Sequence, residues 1–246
     1  MTVIGVIPAR WGSTRFPGKS LTPICGKPLI QWVVESALRV ASLDEVLVAT
    51  DDDRIFAAAE DSGVGCVMTR ADHPSGTDRV AEAVEGRNAD VVVNIQGDEP
   101  LFDPILIDRL VEAIKSGGAE MATAATPITQ SAQLDDPGVV KVVKNQEGIA
   151  LYFSRSLIPH VRDGDASAMD GLHWRHLGVY AYSEPFLQRL VATPPCATEM
   201  AEKLEQLRAL HIGGRIAVLE TSDEGIGVDT PADVKYVERV ISERQG

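Results

Sequence analysis

An α/β fold, a doubly wound and mostly parallel sheet with a mostly antiparallel insertion subdomain, follows from three features of the chain. Short apolar runs alternate with helix-period segments through the first half. After residue 120 the rhythm changes to strands with little helix between them, and a well-marked helix closes the chain. A βαβαβαβα order predicts a parallel sheet covered by helices, with ligands at the carboxyl ends of its strands.

Each element has its own reason. Val3 to Ile7 is a short apolar run ending at Pro8, as a strand buried on both faces requires. Over 28–41, Leu29, Trp32, Val33, Ala37 and Val40 fall at helical spacing. EVLVAT (45–50) reads as a strand and 53–63 as a helix. VGCVMT (64–69) is the next strand, before a helix that starts near Thr77 and runs to 86. ADVVVNIQ (89–96) and PILIDRLVEAIKSGG (104–118) complete the fourth pair. Beyond them, 121–128, 139–145, 149–155 and 176–183 read as strands, with Asn145-Gln146-Glu147-Gly148 as a hairpin turn. The stretch from about 130 to 185 reads as the antiparallel insertion in a single domain spanning 1–246. A helix over 199–211 turns Met200, Leu204, Leu207 and Leu210 inward, and GRIAVLE (214–220) is the last strand. The closing helix has Thr230 as N-cap, Pro231 at its first position and Asp233 three residues after the cap.

Composition narrows the function classes. A chain of 246 residues with 44% hydrophobic and 24% charged residues is globular and long enough for one continuous core. Its 23 basic and 36 acidic residues leave a net charge of -13, which repels phosphate backbones and argues against a nucleic-acid partner. An anion site on such a body must be built from a few focused cations. Cys25, Cys66 and Cys196 are far apart and form no CxxC pair, so neither a disulfide framework nor a zinc site is expected. No signal-peptide pattern and no run of membrane-spanning length are present, and a cytoplasmic protein with no membrane partner is the expectation.

Four segments carry chemistry. The loop Pro8-Ala9-Arg10-Trp11-Gly12-Ser13-Thr14-Arg15-Phe16-Pro17-Gly18-Lys19 puts Arg10, Arg15 and Lys19 at the carboxyl edge of the first strand. Gly12 and Gly18 let its backbone approach a ligand and donate N–H groups. A solvated basic loop is the bland alternative; its position and glycines favour a phosphate cradle. It is not a Walker A loop, since five residues separate the glycines where that loop has four, and Pro23 blocks a helix directly behind the lysine. Nor is it a dinucleotide fingerprint, because A-R-W-G-S-T stands where G-x-G-x-x-G is needed.

Asn94-Ile95-Gln96-Gly97-Asp98-Glu99-Pro100 ends the fourth strand, and Asp98 there suits Mg2+, which takes one or two carboxylates plus phosphate oxygens. A plain turn is the alternative. Asp229, in Gly227-Val228-Asp229-Thr230-Pro231, either assists the cap of the last helix or supplies a second metal carboxylate. His73-Pro74-Ser75-Gly76-Thr77-Asp78-Arg79 opens a helix; its small residues cap that helix, and its backbone can also read the edge of a base. No Ser-His-Asp or Cys-His arrangement is evident, so no covalent intermediate is expected.

With these segments in place the chain resembles the 3-deoxy-D-manno-octulosonate (Kdo) cytidylyltransferases, a group with the nucleotide-diphospho-sugar transferase-like fold. PARWGSTRFPGK, ATDD, MTRADHPSGTDR, NIQGDEP, ALYFSR, HLGVYAY, EKLEQLR and GVDTPAD carry the resemblance, in family order from about Val3 to Val237. It implies transfer of CMP from CTP to Kdo with release of pyrophosphate, Mg2+ as cofactor, and a cytoplasmic homodimer serving lipopolysaccharide synthesis. It implies that Arg10, Ser13, Arg15 and Lys19 hold the triphosphate, and that Ala9, Ser75, Gly76, Thr77 and Arg79 form the cytidine pocket. Asp98 and Asp229 would bind the metal, and Arg10, Arg15, Lys19, Asp98 and Asp229 would carry catalysis. Gln96, Arg155, His176, Tyr180, Glu205 and Gln206 would bind the acceptor, with the insertion contributing to that site and to a dimer interface. Ala201 and its neighbour Glu202 stand in a more variable approach to LEQLR and receive no role.

The residues themselves support the acceptor set unevenly. Arg155 closes a strand and suits a bidentate carboxylate contact, but a surface arginine reads equally well there. His176 and Tyr180 share a strand face that is open to a purely structural role, and Glu205 sits where a solvated residue is the default. Two further readings stay open: a cytidylyltransferase for another acidic sugar, such as an amino-Kdo or a sialic acid, and a non-catalytic nucleotide-binding protein. Intact Lys19, Asp98 and Asp229 argue against the second.

Overall fold

Four apolar runs of the first hundred residues become parallel strands, three of them buried along their length and the fourth, 65–68, at the sheet edge and partly exposed. In the computed structural model, which describes residues 1–12, 16–164 and 171–245, the chain divides into two units, Met1–Asp108 with Gly225–Gly246, and Arg109–Glu224. The first unit begins with β1 (Val3–Ala9), a small ribbon of β2 (Pro23–Ile24) and β3 (Lys27–Pro28), and helix α1 (Leu29–Ala37). Next come β4 (Glu45–Thr50), α2 (Asp53–Glu60), β5 (Gly65–Met68), α3 (Gly76–Ala83), β6 (Val91–Asn94) and α4 (Pro104–Lys115), within which the division falls. β1 lies between β4 and β6 and β5 pairs with β4, all in parallel. Val3, Ile4, Val6 and Ile7 of β1, Leu47 and Val48 of β4 and Val91 to Val93 of β6 are fully buried, so the core runs along this sheet.

The second unit holds β7 (Met121–Pro127), β8 (Lys141–Lys144), β9 (Ala150–Ser154), β10 (Trp174–Ser183), α5 (Glu184–Ala192), α6 (Ala197–Glu202), α7 (Gln206–His211) and β11 (Ile216–Glu220). β10 is antiparallel to β7 and β8, β8 is antiparallel to β9, and β11 is parallel to β7. The β8–β9 connection is the expected hairpin. Gly148 adopts φ 76°, its N–H reaches the Asn145 carbonyl at 3.0 Å, and the Asn145 side chain accepts from Glu147 N and Ile149 N at 3.0 and 2.9 Å. The chain closes with α8 (Pro231–Gln245), where the Asp233 carboxylate accepts from Thr230 N at 2.7 Å and from the Thr230 hydroxyl at 2.9 Å. The predicted start at Pro231 is met, and Asp233 reaches back to Thr230 as in a capping box, while the Thr230 hydroxyl donates to Asp233.

Three local expectations differ. The helix over 199–211 is broken into α6 and α7, because Lys203 stands in the left-handed region at φ 54°. The break turns Met200 outward, 59% exposed, while Leu204 and Leu207 remain buried. Across it, Arg208 and Glu199 form a buried pair, with Nε to Oε2 at 2.8 Å and a second contact from Nη2 to Oε1. Sequence pattern placed no helix at α5, although Phe186, Leu187 and Leu190, all buried, have helical spacing behind Pro185. α1 stops at Ala37, earlier than the spacing suggests, because the chain tightens there: Arg39 N and Val40 N reach back only three residues, to Ser36 O and Ala37 O. No described helix is long and apolar enough to cross a membrane.

Candidate active site

The site of the first unit is organised by the carboxyl ends of β1, β4 and β6. A Cβ on Gly97 would stand 2.7 Å from the Pro8 carbonyl oxygen, so only glycine lets the segment after β6 come this close to the end of β1. Asp98 is the next residue. Its carbonyl accepts from Val228 N at 2.9 Å, which ties the approach to α8 to the β6 edge and brings Asp229 alongside.

Lys19 reaches both carboxylates. It opens a 3-10 turn (Lys19–Leu21) behind Gly18, whose φ of 70° suits glycine and whose Cα carries the Trp11 ring so closely that a Cβ would lie 2.8 Å from it. The Gly18 N–H goes to the Trp11 carbonyl at 3.2 Å and closes the loop on itself. Gly18 thus serves the turn, and the ligand-donating N–H expected of it is already committed. Arg54 stacks its guanidinium 3.2 Å from the centre of the Trp11 ring, on the same loop. The Lys19 Nζ then lies 2.6 Å from Asp98 Oδ2 and 3.2 Å from Asp229 Oδ1. The lysine side chain is 14% exposed, the carboxylates 31% and 47%.

The Asp229 side chain is turned away from the helix start. The cap of α8 is supplied by Asp233, whose carboxylate also accepts from Asp229 N at 3.0 Å, while the Asp229 carboxylate turns to Lys19. Asp98 and Asp229 thus present one carboxylate oxygen each to the same ammonium. Two hard carboxylate oxygens with no third protein ligand among the described residues are a donor set that could hold Mg2+, an ion that takes its remaining ligands from water and phosphate.

Beside this pair lies the α3 turn. Ser75 caps the helix, its hydroxyl accepting from Asp78 N at 3.2 Å and donating to Asp78 Oδ2 at 2.6 Å. A Cβ on Gly76 would meet Pro8 Cγ at 3.7 Å, so the helix start stands against the end of β1, next to buried Ala9. Thr77 and Arg79 are buried. The Arg79 guanidinium donates to the Thr69 hydroxyl and, at 3.0 Å, to Asp51 Oδ2. Behind the turn His73 Nε2 meets Glu82 Oε2. Burial works to raise the Glu82 carboxyl, yet His73 and Arg70 together hold it below the usual range.

The remaining predicted residues are spread over both units. Arg10 is exposed at the end of β1, whereas Ser13 and Arg15 lie outside the described residues. Gln96 is half-buried in the first unit. Arg155, His176, Tyr180, Glu205 and Gln206 belong to the second unit. There the Arg155 guanidinium donates to three backbone carbonyls, Glu202 at 2.7 Å, Pro137 at 2.9 Å and Lys203 at 3.4 Å. His176 and Tyr180 share a face across an irregularity in β10, with ring centres 5.5 Å apart. His176 contacts the Thr123 hydroxyl at 3.1 Å and the edge of Phe153, and burial pushes its pKa down to about 3, so the ring is neutral. Glu205 is exposed, and Gln206 is 4% exposed with Nε2 lacking a partner among the described residues. Sequence reasoning gave no role to Asp51, Glu82 or Glu202; Asp51 and Glu202 act through partners 28 and 47 or 48 positions away, and Glu82 through His73 and Arg70 across the turn before α3.

This arrangement is that of a nucleotide-handling α/β enzyme. Residues 4–216 match the cytidylyltransferase family, and the chain belongs to that family. Within it, the 3-deoxy-manno-octulosonate cytidylyltransferase of Bdellovibrio bacteriovorus is 49% identical over 245 residues, 98% of each chain. The protein of the same name from Syntrophobacter fumaroxidans is 50% identical over 247 residues, 99% of this chain and 98% of the relative. A solved CMP:2-keto-3-deoxy-manno-octonic acid synthetase complexed with CTP superposes with a TM-score of 0.93 at 42% identity, over 99% of this chain and 100% of that one. A cytidylyltransferase from Leptospira borgpetersenii, 19% identical over 99% of this chain and 87% of its own, shares the fold at a TM-score of 0.67.

Proposed function

We propose that this chain transfers CMP from CTP to Kdo and releases pyrophosphate. The observation that carries the reading is the convergence of Lys19, Asp98 and Asp229 at the carboxyl edge of a parallel sheet, beside a capped turn of small residues. The high identity to relatives named for that reaction supports it.

Both substrates are anionic, so the protein's task is to orient them and to offset their charge where it develops. Arg10, Arg15 and Lys19 hold the triphosphate, with Ser13 on the same loop. Ala9, Ser75, Gly76, Thr77 and Arg79 form the cytidine pocket. The Asp51 carboxylate and Thr69 hydroxyl keep the buried Arg79 guanidinium in place. Asp98 and Asp229 are the residues that would hold Mg2+. When bound there, the ion supplies charge neutralisation at the phosphates and a lowered pKa for the attacking hydroxyl. Lys19 shares the two carboxylates and stands ready to face the leaving pyrophosphate. The acceptor residues are Gln96 of the first unit and Arg155, His176, Tyr180, Glu205 and Gln206 of the second. Neutral His176 and the Gln206 amide suit sugar hydroxyls. A cytoplasmic homodimer supplying activated Kdo for lipopolysaccharide completes the reading, with the segment from about 130 to 185 serving acceptor site and dimer interface.

The test is pyrophosphate release with CTP, UTP, ATP and GTP, each against Kdo, an amino-Kdo and a sialic acid, with and without Mg2+. Turnover is expected with CTP and Kdo in the presence of Mg2+. Equal turnover with UTP overturns the cytidine assignment, and preference for another acid moves the acceptor to that sugar.

A further inference from the structure

Glu202 ties two segments together in both directions. At the end of β9, the buried Ser154 donates its hydroxyl to Glu202 Oε1 at 2.7 Å, and Arg155 N donates to Glu202 Oε2 at 2.9 Å. In return the Arg155 Nε donates to the Glu202 carbonyl at 2.7 Å, and its Nη2 to the Lys203 carbonyl at 3.4 Å. Lys203 is the left-handed residue at which α6 ends, so the reciprocal bonds fall on the break itself. A lysine at φ 54° is strained by its Cβ and persists only where its surroundings determine it. Arg155, holding the carbonyls of the two peptide groups that flank the Lys203 Cα, is that determinant.

The helix beyond the break gives the clamp its purpose. α7 begins at Gln206 and packs against β9, the strand whose end Glu202 holds. Gln206 is almost wholly buried, yet its Nε2 has no partner among the described residues, and buried amide groups are normally satisfied. A ligand oxygen would satisfy it. The position of that amide depends on where α7 starts, which depends on the break, which Glu202 and Arg155 fix.

We propose that Glu202 is a positioning residue of the acceptor subsite, setting the start of α7, and with it Gln206, relative to the end of β9. This rests on the acceptor reading above. Glu202 touches no substrate; it acts through the Ser154–Arg155 strand end. Arg155, with three N–H groups committed to the chain, works mainly as its counterpart.

The experiment uses the full chain and steady-state kinetics with CTP and Kdo varied separately. Glu202→Ala is expected to raise the KM for Kdo by about tenfold or more, the scale of an angstrom-level misplacement, while the KM for CTP stays within about twofold. Glu202→Gln should recover most of the loss, since its amide oxygen accepts from Arg155 N and its NH2 donates to the Ser154 hydroxyl. An unchanged KM for Kdo in Glu202→Ala, an equal rise in both KM values, or a Gln variant as impaired as the Ala variant overturns the proposal. If Glu202→Ala does not fold, Ser154→Ala removes one bond of the clamp and should raise the KM for Kdo in the same direction, and no rise there overturns the proposal equally. Wild-type turnover is read first. Its absence with Kdo refutes the function itself, whereas normal wild-type turnover with an unshifted Glu202→Ala refutes the clamp alone.

Discussion

Asp98 and Asp229 share one ammonium, and this makes a quantitative prediction about a double mutant. Lys19 Nζ stands 2.6 Å from one carboxylate and 3.2 Å from the other. At an effective dielectric of about 20, Coulomb's law gives roughly 6 and 5 kcal/mol for these pairs, and about 1.5 kcal/mol each in bulk water. The carboxylates are 31% and 47% exposed, so the net worth of each pair lies near the lower figure, about 1 kcal/mol. The fold should therefore survive Asp98→Asn and Asp229→Asn. Catalysis should not. Losing one positioned charge stabiliser costs on the order of a hundred- to a thousandfold in turnover, about 3–4 kcal/mol of barrier. If both carboxylates serve one cation, the double mutant should be hardly worse than either single, because residues acting as a unit are non-additive. Independent roles would multiply the losses to on the order of ten thousand- to a millionfold. The assay is Mg2+-dependent pyrophosphate release by the wild type, both singles and the double, with circular dichroism to check folding. Multiplied losses, or a normal Mg2+ requirement in Asp229→Asn, would remove Asp229 from the site and refute the reasoning.

Two further outcomes arise from particular contacts. Gly97→Ala forces a Cβ to within 2.7 Å of the Pro8 carbonyl oxygen, a backbone atom that cannot swing aside, and should cost about 1–3 kcal/mol of stability together with most of the activity; denaturant unfolding indistinguishable from wild type would count against that close approach. Burial pushes the His176 pKa in the folded chain down to about 3 from 6.5, so between these values the unfolded chain binds the extra proton. Its contribution to stability is fully present above about pH 6.5 and is lost as pH falls toward 3, by at most about 1.4 kcal/mol per unit. Urea unfolding of wild type and His176→Asn from pH 7 to pH 4 should show the shallower decline in the variant, and equal slopes would mean the ring titrates normally.

Much of the fold was legible because its signals are local. The alternation of apolar runs and helix-period segments needs no more than the period of each element, and it located β4 at 45–50 to the residue. The Asn145–Gly148 turn and the Thr230–Pro231–Asp233 cap were equally readable, since each bonds its own backbone within four residues. The Pro8–Lys19 loop, the GDEP segment and the Gly227–Pro231 segment stood out by residue type alone. Their residue types, glycines beside cations and carboxylates after strands, suit phosphate and metal chemistry wherever the chain runs.

The arrangement of those pieces was not legible, because it depends on partners far along the chain. Lys19 meets Asp98 79 positions away and Asp229 210 positions away, and nothing in the spacing says that one ammonium holds both. Gly18 looked like a ligand donor, but the Trp11 carbonyl takes its N–H. The unbroken helix expected over 199–211 fails at Lys203 because Arg155, 48 positions earlier, holds the carbonyls there. Glu202, given no role on sequence grounds, gains one from the same contact. Period and capping chemistry act over one to four residues and are written in the chain. A carboxylate's partner is whichever group the packed strands bring to within about 3 Å, and only the folded chain decides that.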